Sequence, residues 1–222
     1  MAKTALIVGA SGGIGSALST YLAEGGTEVT RLSRAADGLD VTDEASVEHV
    51  LGGLAGPFDL LFVATGALAI DGSPPEKSVK MVTPKSMADQ FALNTIGPAM
   101  LGKHGLRLIH RDRRSVMAVL SARVGSIGDN ALGGWLSYRT AKAALNQVVR
   151  TTAIELSRTR KHAICVALHP GTVATPFTQE YLSRYPSVPP EVAAANLTRV
   201  IDGLRVEDTG GFYDYSGKAV PW

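Results

Sequence analysis

A phenol and an ammonium stand four residues apart in Tyr138-Arg-Thr-Ala-Lys142, and on a helix that spacing puts both on one face. A phenol with a pKa of about 10 is a poor base near neutrality. A neighbouring cation favours its ionised form and brings it toward the range useful for proton transfer. Such a pair is common by chance and gains meaning only from its context. That context begins with Val8-Gly9-Ala-Ser-Gly-Gly-Ile-Gly15, which follows a strand-like run and opens a helix-like one. Gly9 can make the tight turn, Gly13 can let a pyrophosphate approach the backbone, and Gly15 can let the helix pack close on the sheet. Ser11, Gly12 and Ile14 complete the loop, whose N–H groups and helix dipole favour phosphate.

A second strand-like run ends Arg31-Leu32-Ser33-Arg34, without the acid that would hold an adenosine ribose 2′-hydroxyl. Ser33 and Arg34 suit a 2′-phosphate instead, so NADP(H) is the expected cofactor and NAD(H) the alternative. Gly12 is not the basic residue that would reinforce this choice.

Strand-length apolar runs alternate with segments of helical period, the pattern of an α/β Rossmann-type, doubly wound parallel sheet. The expected strands are Thr4 to Val8, Glu28 to Leu32, Leu60 to Val63, Ser115 to Leu120 and Ala163 to Leu168. The expected helices are Gly15 to Gly25, Ala45 to Leu54, Ser86 to Arg107 and Leu136 to Arg158, the second opened by Thr42 and Asp43. Between Leu32 and Asp40-Val41 too few residues remain for a crossover helix, so that helix is expected to be missing and the crossover shortened. At 222 residues the chain suits a single domain spanning 1–222. The proline-dense stretch Tyr185 to Pro190 reads as a surface loop rather than a linker.

The composition, 45% hydrophobic and 19% charged with 24 glycines, is that of an ordinary α/β protein. A net charge of +2 and a single short run, Arg107, Arg111, Arg113 and Arg114, argue against nucleic acid and for a solvated helix end. The sole cysteine, Cys165, lies in an apolar strand and reads as a small core residue. No metal site is expected. No run approaches the roughly 18 apolar residues of a membrane span, and no leader precedes the first strand, so a cytoplasmic location off the membrane is expected.

The glycine turn, Asp40-Val41, Asn94 in Leu93-Asn-Thr-Ile-Gly-Pro98, Tyr138 with Lys142, and His169-Pro-Gly-Thr-Val-Ala-Thr175 together resemble a short-chain dehydrogenase/reductase over nearly the whole chain, in its small C-factor-like or carbonyl-reductase branch. The resemblance implies that Tyr138 is the general acid/base and that Lys142 lowers its pKa and holds the nicotinamide ribose. It further implies that Asn94 fixes a relay water and that Asp40 and Val41 border the adenine. Pro170, Gly171, Val173 and Thr175, with the Thr172 hydroxyl, would then hold the nicotinamide end and its phosphate. It also implies a homodimer or homotetramer through the long segments Ser86 to Arg107 and Leu136 to Arg158.

Two departures from that family stand out. Its catalytic serine, counted back from Gly125, falls on Ala122, which leaves Ser121 one residue early. A one-residue displacement on a strand reverses the side chain's face, yet strand ends bend, and Ser121 is the expected stand-in. Further upstream Val63-Ala-Thr-Gly66 replaces the family's Asn-Asn-Ala-Gly, keeping only Gly66 for close approach to the cofactor and removing hydrogen bonds of the central sheet.

The expected reaction is hydride transfer between nicotinamide and a small carbonyl or alcohol. Phe177, Tyr181, Leu182, Tyr185 and Trp135 are candidates for an apolar lid over it. The rival is a catalytically weak nucleotide-binding regulator or signalling protein on the same fold, supported by the displaced serine.

Overall fold

Thr4-Ala-Leu-Ile-Val8 carries no polar side chain after its first residue, as a strand covered on both faces requires. It is β1 (Thr4–Val8) of a computed structural model that describes residues 3–182 and 186–222. With β2 (Glu28–Leu32), β3 (Leu60–Val63), β4 (Ser115–Leu120), β5 (Ala163–His169) and β6 (Phe212–Asp214) it forms a six-stranded, all-parallel sheet in the order β2-β1-β3-β4-β5-β6. Five strands lie where the apolar runs place them. The sixth, only three residues long, offers too little pattern to stand out in sequence.

The connections are α1 (Gly13–Glu24), α2 (Arg34–Asp37), α3 (Glu44–Gly52), α4 (Pro84–Phe91), α5 (Gly97–Gly105), α6 (Leu136–Thr159) and α7 (Pro190–Gly203). The segment after β2 holds only a single turn, α2, too short to cross the sheet, so the crossover is shortened as expected and α3 makes the connection to β3. Asp43 caps α3 by accepting the Ala45 N–H at 3.0 Å. α7 follows the proline-dense stretch directly, because Pro190 stands at the first helical position, where its missing N–H is harmless.

Strand residues alternate between two cores. Leu6 and Val8, with Ala163, Cys165 and Ala167, face a cluster completed by α3, α5 and α6. Ala5 and Ile7, with Ile164, Val166 and Leu168, face the cluster made with α1 and α7, which pack on each other. Cys165 is fully buried, and burial pushes its thiol up to about 12, as befits a packing residue. Three of the four arginines in that run bind their own chain. Arg107 donates to the Leu51 and Leu54 carbonyls, Arg113 pairs with Asp59 at 3.0 Å, and Arg114 donates to the Ile201 carbonyl at 2.7 Å. Among the described residues no helix is long and apolar enough to cross a membrane.

Parallel register brings the strand ends into line, with Val8 beside Leu32 and Val63, Val63 beside Val119, and Leu120 beside Leu168. The loops after them therefore leave one edge of the sheet together. β2 lies on one side of β1 and β3 on the other, so the winding reverses there and opens a crevice at the carboxyl ends.

Candidate active site

α6 starts beside that crevice. Its buried row runs Tyr138, Lys142, Asn146 and Val149, one turn apart, so Tyr138 and Lys142 share a face. Lys142 Nζ lies 5.8 Å from the centroid of the Tyr138 ring and donates to the Leu120 carbonyl at the end of β4, 3.1 Å away. A Cβ on Gly125 would fall 2.7 Å from Lys142 Cβ, so only glycine lets the turn after β4 close on this helix. Both groups are buried, and burial disfavours charge on each. It raises the Tyr138 phenol well above its usual value and pulls the Lys142 ammonium down to about 7.

The helical region opposite, expected as one helix from Ser86 to Arg107, is interrupted. Between α4 and α5 the residues Ala92–Ile96 form a π-helical segment, a distortion that accumulates at functional sites. Asn94 sits within it, fully buried. Its Nδ2 donates to the Ala67 carbonyl at 2.9 Å and to Gln90 Oε1 at 2.6 Å, while its Oδ1 has no partner. Gly66 has φ +142°, and a Cβ there would fall 2.6 Å from Asn94 Oδ1 and 3.5 Å from Lys142 Nζ. Gly66, Asn94 and Lys142 therefore converge on one point. Val63-Ala-Thr leaves the Thr65 hydroxyl buried without a partner, and Gln90, one turn before Asn94, supplies the missing fastening by donating to the Leu68 carbonyl. Gln90 is absent from the sequence expectations, although its i, i+4 spacing to Asn94 is a usable signal.

The glycine turn is tied to β2, since Gly9 and Ala10 both donate to the Leu32 carbonyl. This places Ser33 and Arg34 beside the loop. Gly9 has φ +87°, and a Cβ on Gly15 would fall 2.2 Å from the Gly9 carbonyl oxygen, so helix and turn pack backbone to backbone. Gly12 caps α1 with no side chain, which leaves the first-turn N–H groups near Ser11, Gly13 and Ile14 for a ligand. Across the crevice, a Cβ on Gly13 would fall 2.5 Å from Thr175 Cγ2, so the first and last of the expected cofactor loops meet. Val173 is buried and Gly171 has φ +78°. Val41 backs onto Gly97 at the start of α5, and Asp40 is engaged by the Thr42 hydroxyl at 2.7 Å, which lowers its pKa. Arg34 is exposed, and Ser33 caps α2 by accepting the Ala36 N–H.

Ser121 is held elsewhere. It is buried, and its hydroxyl donates to Asn146 Oδ1 at 2.6 Å. Ala122 is extended, at φ −144° and ψ 142°, so its methyl faces the other way. The sequence thus brings a hydroxyl to the end of β4 but engages it with α6, two turns beyond Tyr138. Two aromatic rings flank Tyr138: Trp135 edge-on at 6.5 Å and Phe177 tilted at 6.4 Å. Of the other lid candidates Leu182 is half-buried, while the Tyr181 side chain and Tyr185 lie outside what is described. His169 at the end of β5 is pushed down to about 4, mainly by burial, and stays neutral at ordinary pH. Glu76, which no sequence motif marks, is buried against Ser137 next to Tyr138.

Comparison with known proteins finds relatives along nearly the whole chain. A family model described as enoyl-(acyl carrier protein) reductase matches residues 17–207. The 1-hydroxy-2-glutathionyl-2-methyl-3-butene dehydrogenase of Rhodococcus sp. strain AD45 is 32% identical over 99% of this chain and 100% of its own length. The C-signal protein of Myxococcus xanthus is 35% identical over 61% of this chain and 78% of its own. A Burkholderia multivorans short-chain dehydrogenase/reductase structure with bound NADP superposes with a TM-score of 0.85, at 26% identity and full coverage of both chains. The NADPH-bound carbonyl reductase from chicken fatty liver gives a TM-score of 0.84, at 25% identity, over 99% of this chain and 94% of that one.

Proposed function

The chain belongs to the short-chain dehydrogenase/reductase family and is an NAD(P)-dependent oxidoreductase, and from that premise we propose that it is an NADPH-preferring carbonyl reductase acting on small carbonyl or alcohol substrates, with Tyr138 as its general acid/base. The observation that carries the reading is the buried Tyr138–Lys142 pair at 5.8 Å, facing the point where Gly66 and Asn94 converge.

A dinucleotide fits the residues present. The uncapped first turn of α1 offers donors to phosphate, the unpartnered Asn94 Oδ1 offers an acceptor, and Lys142 holds a proton-bearing nitrogen beside the crevice. Bound there, nicotinamide supplies or accepts the hydride at the carbonyl carbon. Tyr138, kept protonated by burial, donates its phenol proton to the substrate oxygen on reduction and takes it back on oxidation. Lys142 binds the ribose and biases the phenol electrostatically, Asn94 orders a relay water, and Trp135 and Phe177 exclude bulk water around the ring. Arg34, exposed at the first position of α2, would meet the 2′-phosphate and set the preference for NADPH over NADH. The hydroxyl on the Rhodococcus relative's substrate and the carbonyl reductase neighbours point to the same alcohol and carbonyl chemistry.

Titration with NADPH and NADH by fluorescence, followed by absorbance during exposure to aldehydes and ketones, tests the whole reading. Tighter binding of NADPH with consumption supports it. Binding without consumption favours a second reading, a nucleotide-binding signalling protein, for which the Ser121 hydroxyl's engagement with Asn146 and the likeness to the C-signal protein speak. Association into a homodimer or homotetramer belongs to the same proposal, because Ile96 beside α5 and Ile154 on α6 stand half exposed. A cytoplasmic location completes it and is read by cell fractionation.

A further inference from the structure

The loop between β3 and α4 is fastened at two places. Near its start, Asn94 and Gln90 donate to the Ala67 and Leu68 carbonyls, each at 2.9 Å. Farther along it stands Glu76, only 6% exposed. Its Oε1 accepts the Ser86 hydroxyl at 2.9 Å and the Ser137 hydroxyl, its Oε2 accepts the Ser137 N–H at 3.3 Å, and its main-chain carbonyl accepts the Trp135 N–H at 2.6 Å. One residue thus joins the loop, the first turn of α4 and the first turn of α6.

These bonds fall where the chain most needs holding. Gly133, Gly134 and Trp135 take left-handed conformations in succession, with φ of +64°, +66° and +51°. Two glycines do so freely, whereas an indole-bearing residue does not. No side chain of Trp135 caps α6, so the first-turn N–H of Ser137 depends on Glu76, and a carboxylate at a helix N-terminus suits the dipole. The strained Trp135 presents its ring to Tyr138 edge-on at 6.5 Å.

We infer that Glu76 is a positioning residue, whose carboxylate and carbonyl lock Trp135 in its left-handed turn and thereby set the indole as the substrate-side wall of Tyr138. The consequence for turnover rests on the carbonyl reductase reading; the lock itself does not. Its hydrogen bonds run to Ser86, Ser137 and Trp135, and it acts on Tyr138 through the last two.

The chain has two tryptophans, Trp135 and Trp222, so W222F leaves Trp135 as the sole indole reporter. In that background E76A is expected to raise acrylamide quenching of Trp135 about twofold. For the carbonyl substrate it is expected to raise KM about tenfold while kcat falls less than threefold. E76Q keeps Oε1 and its two hydroxyl partners and is expected to restore both quantities most of the way. If E76A does not fold, S86A/S137A removes the same two donors and is expected to show the same gain in quenching. Unchanged Trp135 quenching in folded E76A, or in S86A/S137A, overturns the lock. Loss of quenching protection in a protein that never consumes NADPH with any carbonyl leaves the lock standing and overturns the reductase reading instead.

Discussion

Gly66 and Asn94 stand so close that a methyl on the glycine would lie 2.6 Å from the asparagine Oδ1. Because Gly66 also has φ +142°, both strain and collision oppose any side chain there. G66A is therefore expected to lose about 2–4 kcal/mol of stability and to displace Asn94, measurable as a lower urea midpoint together with weakened NADPH binding. A G66A protein with both quantities unchanged contradicts the convergence of Gly66, Asn94 and Lys142.

Tyr138→Phe removes the transferable proton while keeping the ring between Trp135 and Phe177. Turnover should fall at least about 100-fold, the scale of general acid/base catalysis, with NADPH affinity within about threefold of the parent. Comparable rates in the two proteins would remove Tyr138 from its role.

Lys142 is pulled from 10.5 to about 7 by burial, so between those values the unfolded chain binds a proton that the folded one does not. Stability contributed through Lys142 is lowest below pH 7 and recovers as pH rises toward 10. Beyond that, Tyr138, whose folded pKa is raised, works against folding because the unfolded phenol ionises first. K142M should thus be more stable than the parent at pH 6 by a few kcal/mol, with the gap narrowing by pH 9.5, while NADPH binding is lost. Parallel stability curves across that window would show that Lys142 is not desolvated.

Arg34→Glu is expected to weaken NADPH at least about tenfold, the worth of a charge-assisted phosphate contact, and to leave NADH within about threefold. Isothermal titration with both nucleotides decides it; equal loss for the two would place Arg34 outside the 2′-phosphate contact.

Ser121→Ala should cost about 1–2 kcal/mol, since it strands the buried Asn146 Oδ1, yet leave kcat within about threefold because the hydroxyl points to α6. Thermal unfolding and steady-state rates separate the two effects. A 100-fold fall in kcat without loss of stability would return Ser121 to the chemistry.

The glycine turn, five strands and the Tyr138–Lys142 face were legible because each is fixed by local covalent geometry: left-handed φ, apolar alternation, and 3.6 residues per turn. β6 was not, because three residues carry no measurable period and depend on β5 for their place. The π segment around Asn94 escaped for a related reason. It depends on where Asn94 must reach, the Ala67 carbonyl of a distant loop, and not on the propensity of Ala92–Ile96. The direction of Ser121 turned on whether the end of β4 stays extended, and it does through Ala122, so alternation holds. Glu76 was invisible since its partners, Ser86 and Ser137, lie 10 and 61 residues away.

Finally, β6 has its outer edge already taken. The Val220 N–H donates to the Phe212 carbonyl at 2.8 Å, the Asp214 N–H to the Lys218 carbonyl at 2.9 Å, and Ala219 bridges Tyr213 in antiparallel sense. At the opposite border, β2 exposes Glu28 and Arg31, charges that repel an incoming strand. A sheet with one border hydrogen-bonded to its own chain and the other charged offers an incoming strand no ready template, which guards both borders against edge-to-edge aggregation.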